Sequence, residues 1–199
     1  PNHGFDNIYE SLKKLAIDNS YLEPDAFLKI ASITETIGEQ KKFFKKFKDY
    51  YPTLFQQSED VYFEKEIITQ IRKIVTNYGE IVGNASPVLR QIRREKSSIQ
   101  GKIGQSFGTA LQRAKDAGYL DDIKETVIDN QRVLAVLSMY RKKIKGSLLG
   151  SSKSGGIVYI APQATLAYHR EYQNLLFEEK QEIIRILREL SNYIRPYVE

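Results

Sequence analysis

Asn130-Gln131-Arg132-Val133-Leu134-Ala135-Val136-Leu137, then Tyr140-Arg141-Lys142-Lys143-Ile144-Lys145-Gly146, then Ser151-Ser152-Lys153-Ser154-Gly155-Gly156-Ile157-Val158-Tyr159-Ile160-Ala161-Pro162: the reading of this stretch decides the fold. Short apolar runs separated by polar, glycine-rich segments predict three short strands joined by turns. Arg132, Arg141, Lys142, Lys143, Lys145 and Lys153 fall here, with no acidic residue from Arg132 to Pro162. Almost everything outside the stretch reads as helix. The expectation is a mainly α chain with a small, basic, antiparallel β unit set between long helices.

On the N-terminal side of this stretch, Ser86 is placed to cap a helix with Pro87 at its first position. That helix runs from Val88 to about Lys115, roughly 40 Å at the α-helical rise. Ala117-Gly118-Tyr119-Leu120 terminates it. On the C-terminal side a return helix spans about Ala164 to Ile194, roughly 45 Å. Leu176, Ile183, Leu187, Leu190 and Ile194 keep a coiled-coil-like spacing along it. The two helices are expected to run antiparallel, with the β unit at their far end. Glu182 and Arg185, one helical step apart, are expected to pair weakly. Gly101, Gly104 and Gly108 share a face of the first long helix. They offer either a small-residue stripe for close packing of another helix or an arm weakened by interior glycines. Both readings stand.

Further toward the N-terminus, Asp6 is placed to cap a helix carrying Ile8, Leu12, Leu15 and Ala16. Pro24 suits the first turn of a second helix, with Phe27, Ile30, Ile33 and Ile37 on one face and Phe44, Phe47 and Tyr51 extending it. Gly38 is expected to bend or split that helix. Lys41, Lys42, Lys45, Lys46 and Lys48 surround the phenylalanines. They form a nucleic-acid patch with aromatic stacking, or an amphipathic helix whose lysine stems cover inward phenylalanines. The second is the simpler expectation. Pro52 ends the segment and Ser58-Glu59-Asp60 signals a new start. Ile67, Ile71, Ile74 and Tyr78, widened by Ile68 and Val75, mark a third helix. Gly79 to Asn84 reads as a tight turn with unusual backbone angles.

The chain of 199 residues suits one elongated domain or two small ones. Its 28% charged residues, 13 Tyr and 9 Phe fit helices with solvated faces. A net charge of +5 permits an anionic partner without demanding one. With no cysteine, disulfides, thiol nucleophiles and cysteine-ligated zinc are excluded, and a reducing, cytoplasmic setting is the simple reading. His3 and His169 lie too far apart in sequence for a multi-histidine metal site. No apolar run approaches the roughly 18 residues of a membrane span, and no signal peptide is visible. Because the sequence starts at Pro1 without methionine and stops soon after a strong helical pattern, an excised part of a longer chain is expected.

No catalytic constellation emerges. Glu10, Glu35, Glu39, Glu64 and Glu66 lack metal-ligand spacing, and His169 beside Arg170 and Glu171 reads as an ordinary polar residue. Gly150-Ser151-Ser152-Lys153-Ser154 fails the phosphate-loop pattern, because no Gly-Lys-Ser/Thr opens a helix there. The basic β unit differs, since charge on strands and turns is not the wet side of a helix. Lys142, Lys143 and Lys145, with Ser151, Ser152 and the amides around Gly155, suit phosphate oxygens. The alternative is a soluble, lysine-rich turn without a partner. Contact with phosphates would be salt-sensitive and indifferent to sequence. The candidate set is Arg132, Arg141, Lys142, Lys143, Lys145, Ser152 and Lys153.

Arg132-Val133-Leu134-Ala135-Val136, Gly146 and Ser152-Lys153-Ser154-Gly155-Gly156-Ile157-Val158-Tyr159-Ile160-Ala161-Pro162 resemble the clamp region of MutS-type proteins. The resemblance is nearest to the second bacterial branch, whose members usually carry a C-terminal Smr nuclease domain. Gly79-Glu80-Ile81 with Ala85-Ser86-Pro87-Val88-Leu89-Arg90-Gln91-Ile92-Arg93 resembles the base of the family's arm. Glu178-Glu179, Glu182-Ile183, Ile186-Leu187 and Leu190-Ser191 resemble its return helix. Ala135, Leu149, Ile157 and Ala161 depart from the family's usual Pro, His, Thr and Glu. The resemblance implies an elongated helical lever with a β clamp at the tip of two long antiparallel helices. Residues 1–90 would be the first part of the lever, 91–162 the clamp arm and tip, and 163–199 the return helix. It implies double-stranded or branched DNA as partner, a homodimer of the parent, and ATP with Mg²⁺ held in an ATPase domain outside this segment. The segment itself is then expected to hold no cofactor and to catalyse nothing. A ribosome-, RNA- or protein-binding module is the alternative the same resemblance permits, and an idle helical scaffold is a third reading.

Overall fold

The computed structural model describes residues 6–198; His3 lies outside them. In chain order the elements are α1 (Tyr9–Leu15), α2 (Pro24–Lys46), α3 (Pro52–Glu59), α4 (Lys65–Ile74), α5 (Pro87–Asp116), β1 (Leu120–Ile128), β2 (Gln131–Leu137), β3 (Gly146–Ser151), β4 (Ile157–Pro162) and α6 (Gln163–Ile194). A 3₁₀ segment, Ser138–Lys143, links β2 to β3, and a short one, Arg195–Tyr197, follows α6. The chain is thus mainly helical with a small antiparallel sheet. Two compact units divide it: Pro1–Arg90 with Lys180–Glu199, and Gln91–Glu179.

The first unit is a helical assembly around Leu15, Leu22, Phe27, Ile30, Ile67, Ile71, Val75, Leu187, Leu190 and Ile194. Burying each such aliphatic or aromatic side chain contributes about 1.5–3 kcal/mol. The first turn of α1 is capped by Asn7, whose Oδ1 accepts the Tyr9 N–H at 2.9 Å, and not by Asp6. At its other end, the Arg195 guanidinium donates to the carbonyl of Leu15, which ends the helix, and to those of Ile17 and Ser20 just beyond it. Pro24 opens α2 as expected. Gly38 does not split that helix; it is buried, and a Cβ there would stand 2.7 Å from the Phe63 ring. Pro52 starts α3 rather than merely ending α2, and Ser58 lies inside α3 with its hydroxyl on Phe55 O. The start of α4 lies further on, where the Glu64 carboxylate accepts the Glu66 N–H. Tyr78 falls beyond that helix and is 90% exposed. Gly79 takes a left-handed φ of +79° in the turn that returns Ile81 to pair with Val75.

At the base of α5 the Leu89 N–H donates to Ser86 Oγ at 2.9 Å, the expected cap. The same hydroxyl donates to Glu182 Oε1 at 2.5 Å, and Arg185 grips both oxygens of that carboxylate. The expected Glu182–Arg185 pair is present, with Glu182 buried and Arg185 about half exposed. Its carboxyl is held below the ordinary range, chiefly by the Arg185 hydrogen bonds, against the opposing pull of burial. A glutamate at an inward position interrupts the apolar pattern of α6. The buried neighbour upstream is Leu175, whereas Leu176, taken for the seam from its spacing, is 36% exposed.

The second unit packs α5 against α6 and caps that pair with the sheet. Ile92, Ile99 and Leu175 form one small core, flanked by Ile103, Tyr168 and Tyr172. Contacts of Arg93 with Glu179, Gln100 with Tyr172 and Lys102 with the Tyr168 ring descend along one helix as they climb the other, so the two run antiparallel here. Gly101, Gly104 and Gly108 meet nothing where a Cβ would stand, which sets aside the close-packing reading. α5 ends in a Schellman turn: Gly118 adopts φ +69°, its N–H reaches Lys115 O, and the Tyr119 N–H reaches Ala114 O.

The unit holds four strands, in the order β1-β2-β4-β3, and not three. The strand unforeseen in the sequence is β1, joined to β2 by Asp129-Asn130. Both residues have positive φ, as a two-residue hairpin turn requires. Residues 140–145 are not a strand. After β2, Ser138 donates its N–H to Gly156 O and its hydroxyl to Gly155 O, which turns the chain out of the sheet into the 3₁₀ segment. The strand β3 follows, where a turn was expected. Gly146 opens it because nothing larger fits: a Cβ would stand 2.1 Å from the Ala161 carbonyl oxygen. Phe107 and Ala114 of α5 with Leu134, Val136, Val158 and Ile160 of the sheet form the core beneath the strands.

Candidate nucleic-acid interface

The predicted cations do not form one cluster. Arg132 on β2 donates from one guanidinium nitrogen to both Glu125 oxygens, at 2.9 and 2.7 Å, and lies 4.2 Å from the Phe107 ring centroid. It ties β1, β2 and α5 together, and a phosphate there would compete with Glu125. The basic stretch therefore has acidic company, since β1 brings Asp121, Asp122 and Glu125 beside it. The two-residue Asp129-Asn130 turn was the signal that could have revealed this strand.

Arg141, Lys142 and Lys143 form the last turn of the 3₁₀ segment, and Lys145 sits just before β3. With three residues per turn, consecutive side chains leave a 3₁₀ helix in three directions. Lys143 and Lys145 open onto one hollow, together with Arg113 from α5. Arg113 was not foreseen, because only the fold brings the end of α5 to the 3₁₀ segment. Ser152 and Lys153 lie at the other end of β3, in the hairpin to β4. Six strand residues separate the two ends, about 20 Å at the β rise. The 3₁₀ segment spans between them, starting at Ser138 beside Gly155 and finishing near Gly146. Arg141, Lys142, Lys143, Lys145 and Lys153 are exposed, and among the described residues none of these five side chains meets a carboxylate.

The hairpin that carries Lys153 is internally held. The Ser152 hydroxyl accepts the Ile157 N–H at 3.1 Å, and the Gly155 N–H donates to Ser152 O at 2.9 Å with Gly155 at φ +71°. The Gly155 amide is therefore committed within the turn, and the Ser152 hydroxyl also meets Ser154 Oγ at 3.3 Å. Gly150 and Ser151 lie in a strand and Lys153 in its hairpin, so this stretch does not build a nucleotide phosphate loop.

Elsewhere the ionisable groups serve the fold. Burial pushes the Glu179 carboxyl up, but hydrogen bonds from Lys96 and Arg93 outweigh it and leave the group below its ordinary range. His169 on α6 is pushed down by burial, which favours the neutral ring. Among the described residues no group of three or more His, Cys, Asp or Glu could hold a metal ion. No helix among them is long and apolar enough to cross a membrane. The Lys41 ammonium, one of the lysines around the phenylalanines, donates to the carbonyls of Ser58 and Val61 at the end of α3. The inward reading of those phenylalanines holds only in part, because Phe43 is 48% exposed while Phe44 and Phe47 are half-buried.

No family model matches the chain. Endonuclease MutS2 of Pelotomaculum thermopropionicum is 30% identical to it over 94% of this chain and 24% of that protein. Endonuclease MutS2 of Alkaliphilus oremlandii is 28% identical over 98% of this chain and 25% of its own length. The protein of the same name from Bacillus velezensis is 25% identical over 100% and 26%. The chain thus spans about a quarter of the length of the curated relatives it matches. Alignment over nearly the whole chain at 25–30% identity supports a relationship to the MutS2 proteins along that quarter of their length.

Proposed function

We propose that this chain is the lever and clamp segment of a MutS-like DNA-binding ATPase acting in DNA repair or recombination control. In this reading residues 1–90 and 163–199 belong to the lever and 91–162 to the clamp. The clamp touches the backbone of double-stranded or branched DNA, and the helices carry movement that originates in ATP chemistry elsewhere in a dimeric parent. ATP and Mg²⁺ would be held by residues outside this chain, as would the chemistry for which the relatives are named. The observation that carries the reading is a set of exposed cations without carboxylate partners on the 3₁₀ segment and at the two ends of β3: Arg141, Lys142, Lys143, Lys145 and Lys153. Five ammonium or guanidinium groups without carboxylate partners suit phosphate oxygens, and nothing beside them is arranged to read base edges. Ser152 adds a neutral donor at one end, and Arg132 serves by holding β1 and β2 in register.

The test is to replace Lys142, Lys143 and Lys145 together by Ala in the whole parent protein and titrate it with a duplex oligonucleotide over a range of salt. Affinity at low salt is expected to fall. The slope of log K against log salt should shrink by about 0.9 for each phosphate that the variant no longer neutralises. An unchanged affinity and slope would remove these residues from the interface.

A further inference from the structure

Arg113, Lys143 and Lys145 line a single hollow of about 450 Å³ in the second unit. They come from three places in the sequence: the end of α5, the end of the 3₁₀ segment and the lead into β3. No carboxylate lines the hollow, and among the described residues none of the three side chains has an acidic partner. The rest of its wall is largely apolar, from Ala114, Ile144 and Pro162, with the Tyr119 ring among them. That ring is held by Tyr140, the two centroids 4.8 Å apart.

These features constrain an occupant. Three cationic side chains line one concavity, and an anion held there relieves their mutual repulsion. Inorganic phosphate alone would leave the apolar wall in water, and a wholly apolar ligand would strip water from cations it cannot pair. A hollow of this size lies within the usual range for small-molecule sites, about 300–1,000 Å³. An anionic group joined to a flat, weakly polar ring satisfies both parts of the lining.

We propose that the hollow takes one nucleoside 5′-phosphate, with its phosphate at Arg113, Lys143 and Lys145 and its base against Tyr119, Ile144 and Pro162. The nucleotide is either free or unstacked from a strand held by the clamp lysines. Only the second source rests on the clamp reading above.

Photocrosslinking with mapping by mass spectrometry tests this in the whole parent protein, because it reports Tyr119 separately from any other nucleotide site. The probes are 5-iododeoxyuridine monophosphate and oligonucleotides bearing one 5-iododeoxyuridine, either paired in a duplex or unpaired in a gap. Saturable crosslinking to Tyr119, competed by thymidine monophosphate, is expected from the free probe, from the gapped strand, or from both. Which of them crosslinks identifies the source. Arg113→Ala should raise the half-saturating probe concentration at least about fivefold. Ala164→Phe, which fills the hollow from the first turn of α6, should abolish the crosslink while leaving plain duplex affinity within about twofold. If Ala164→Phe does not fold, Arg113→Ala on the exposed helix face still decides the matter. Absence of saturable crosslinking from every probe, or crosslinking unchanged by Arg113→Ala, overturns the proposal. Lys142→Ala with Lys153→Ala, neither of which lines the hollow, separates the two readings. Unchanged duplex affinity in that variant removes the clamp contacts and leaves the free-nucleotide result standing.

Discussion

The helical unit encloses several charged groups in a way that the sheet, Arg132 aside, does not. In the unit formed by Pro1–Arg90 and Lys180–Glu199, Glu182 is enclosed by Ser86 and Arg185, Arg195 clasps three carbonyls, and Lys41 closes the end of α3. On the sheet, only Arg132 is used in this way, and five other cations from Arg141 to Lys153 face no carboxylate among the described residues. A charge with satisfied hydrogen bonds contributes to stability, and its removal leaves a partner stranded. An exposed, unpaired cation contributes almost nothing to the fold and stays available to an anion.

That contrast can be broken at its strongest point through Gly146. Gly146→Val would drive side-chain atoms into the Ala161 carbonyl, where even a Cβ has only 2.1 Å. The sheet should lose about 3 kcal/mol or more, and duplex binding should disappear with it; denaturant titration and a binding assay read both. The next largest effect falls in the helical unit. Glu182→Ala strips Ser86 and Arg185 of their shared acceptor and should cost about 1–3 kcal/mol in urea unfolding, whereas Lys142→Ala should leave the urea midpoint in place and weaken only DNA binding.

Acid sharpens the same distinction. Glu179 and Glu182 both sit below their ordinary pKa range in the folded chain. Their contribution is therefore fully present above the unfolded value of about 4.3, and is lost as pH falls through the lower folded values. Urea midpoints followed downward from about pH 6 should drop below about pH 4, and Glu182→Gln should flatten that drop. The smallest change is expected on the open face of α5. Gly104→Ala meets no neighbour and should stabilise the helix by up to about 1 kcal/mol, read as a small rise in melting temperature.

The helices were legible because their signals are local. Ser86-Pro87, Pro24 and the spacing of Ile67, Ile71 and Ile74 act within a turn or two of the residues that carry them. The errors arose where a residue answers to a distant partner. Gly38 looked like a helix breaker until Phe63 occupied the space beside it, and Leu176 looked buried although Leu175 is the residue that packs against Ile92 and Ile99. The β unit was recognised as such, but β1 was missed because its acidic residues and the bulge at Lys124, φ +62°, obscure the alternation that marks a strand.

By itself, the sequence determined the mainly helical class, the place of the β unit between two long helices and the kinship with MutS-type proteins, because periodicity, capping and motif are properties of neighbouring residues. Tertiary structure alone decided which charges are free. Glu125 reaches Arg132 only across a strand pairing, and Arg113 reaches the hollow of Lys143 and Lys145 only once α5 packs beneath the sheet. Electrostatic pairing depends on separation in space, and no run of residues records that separation.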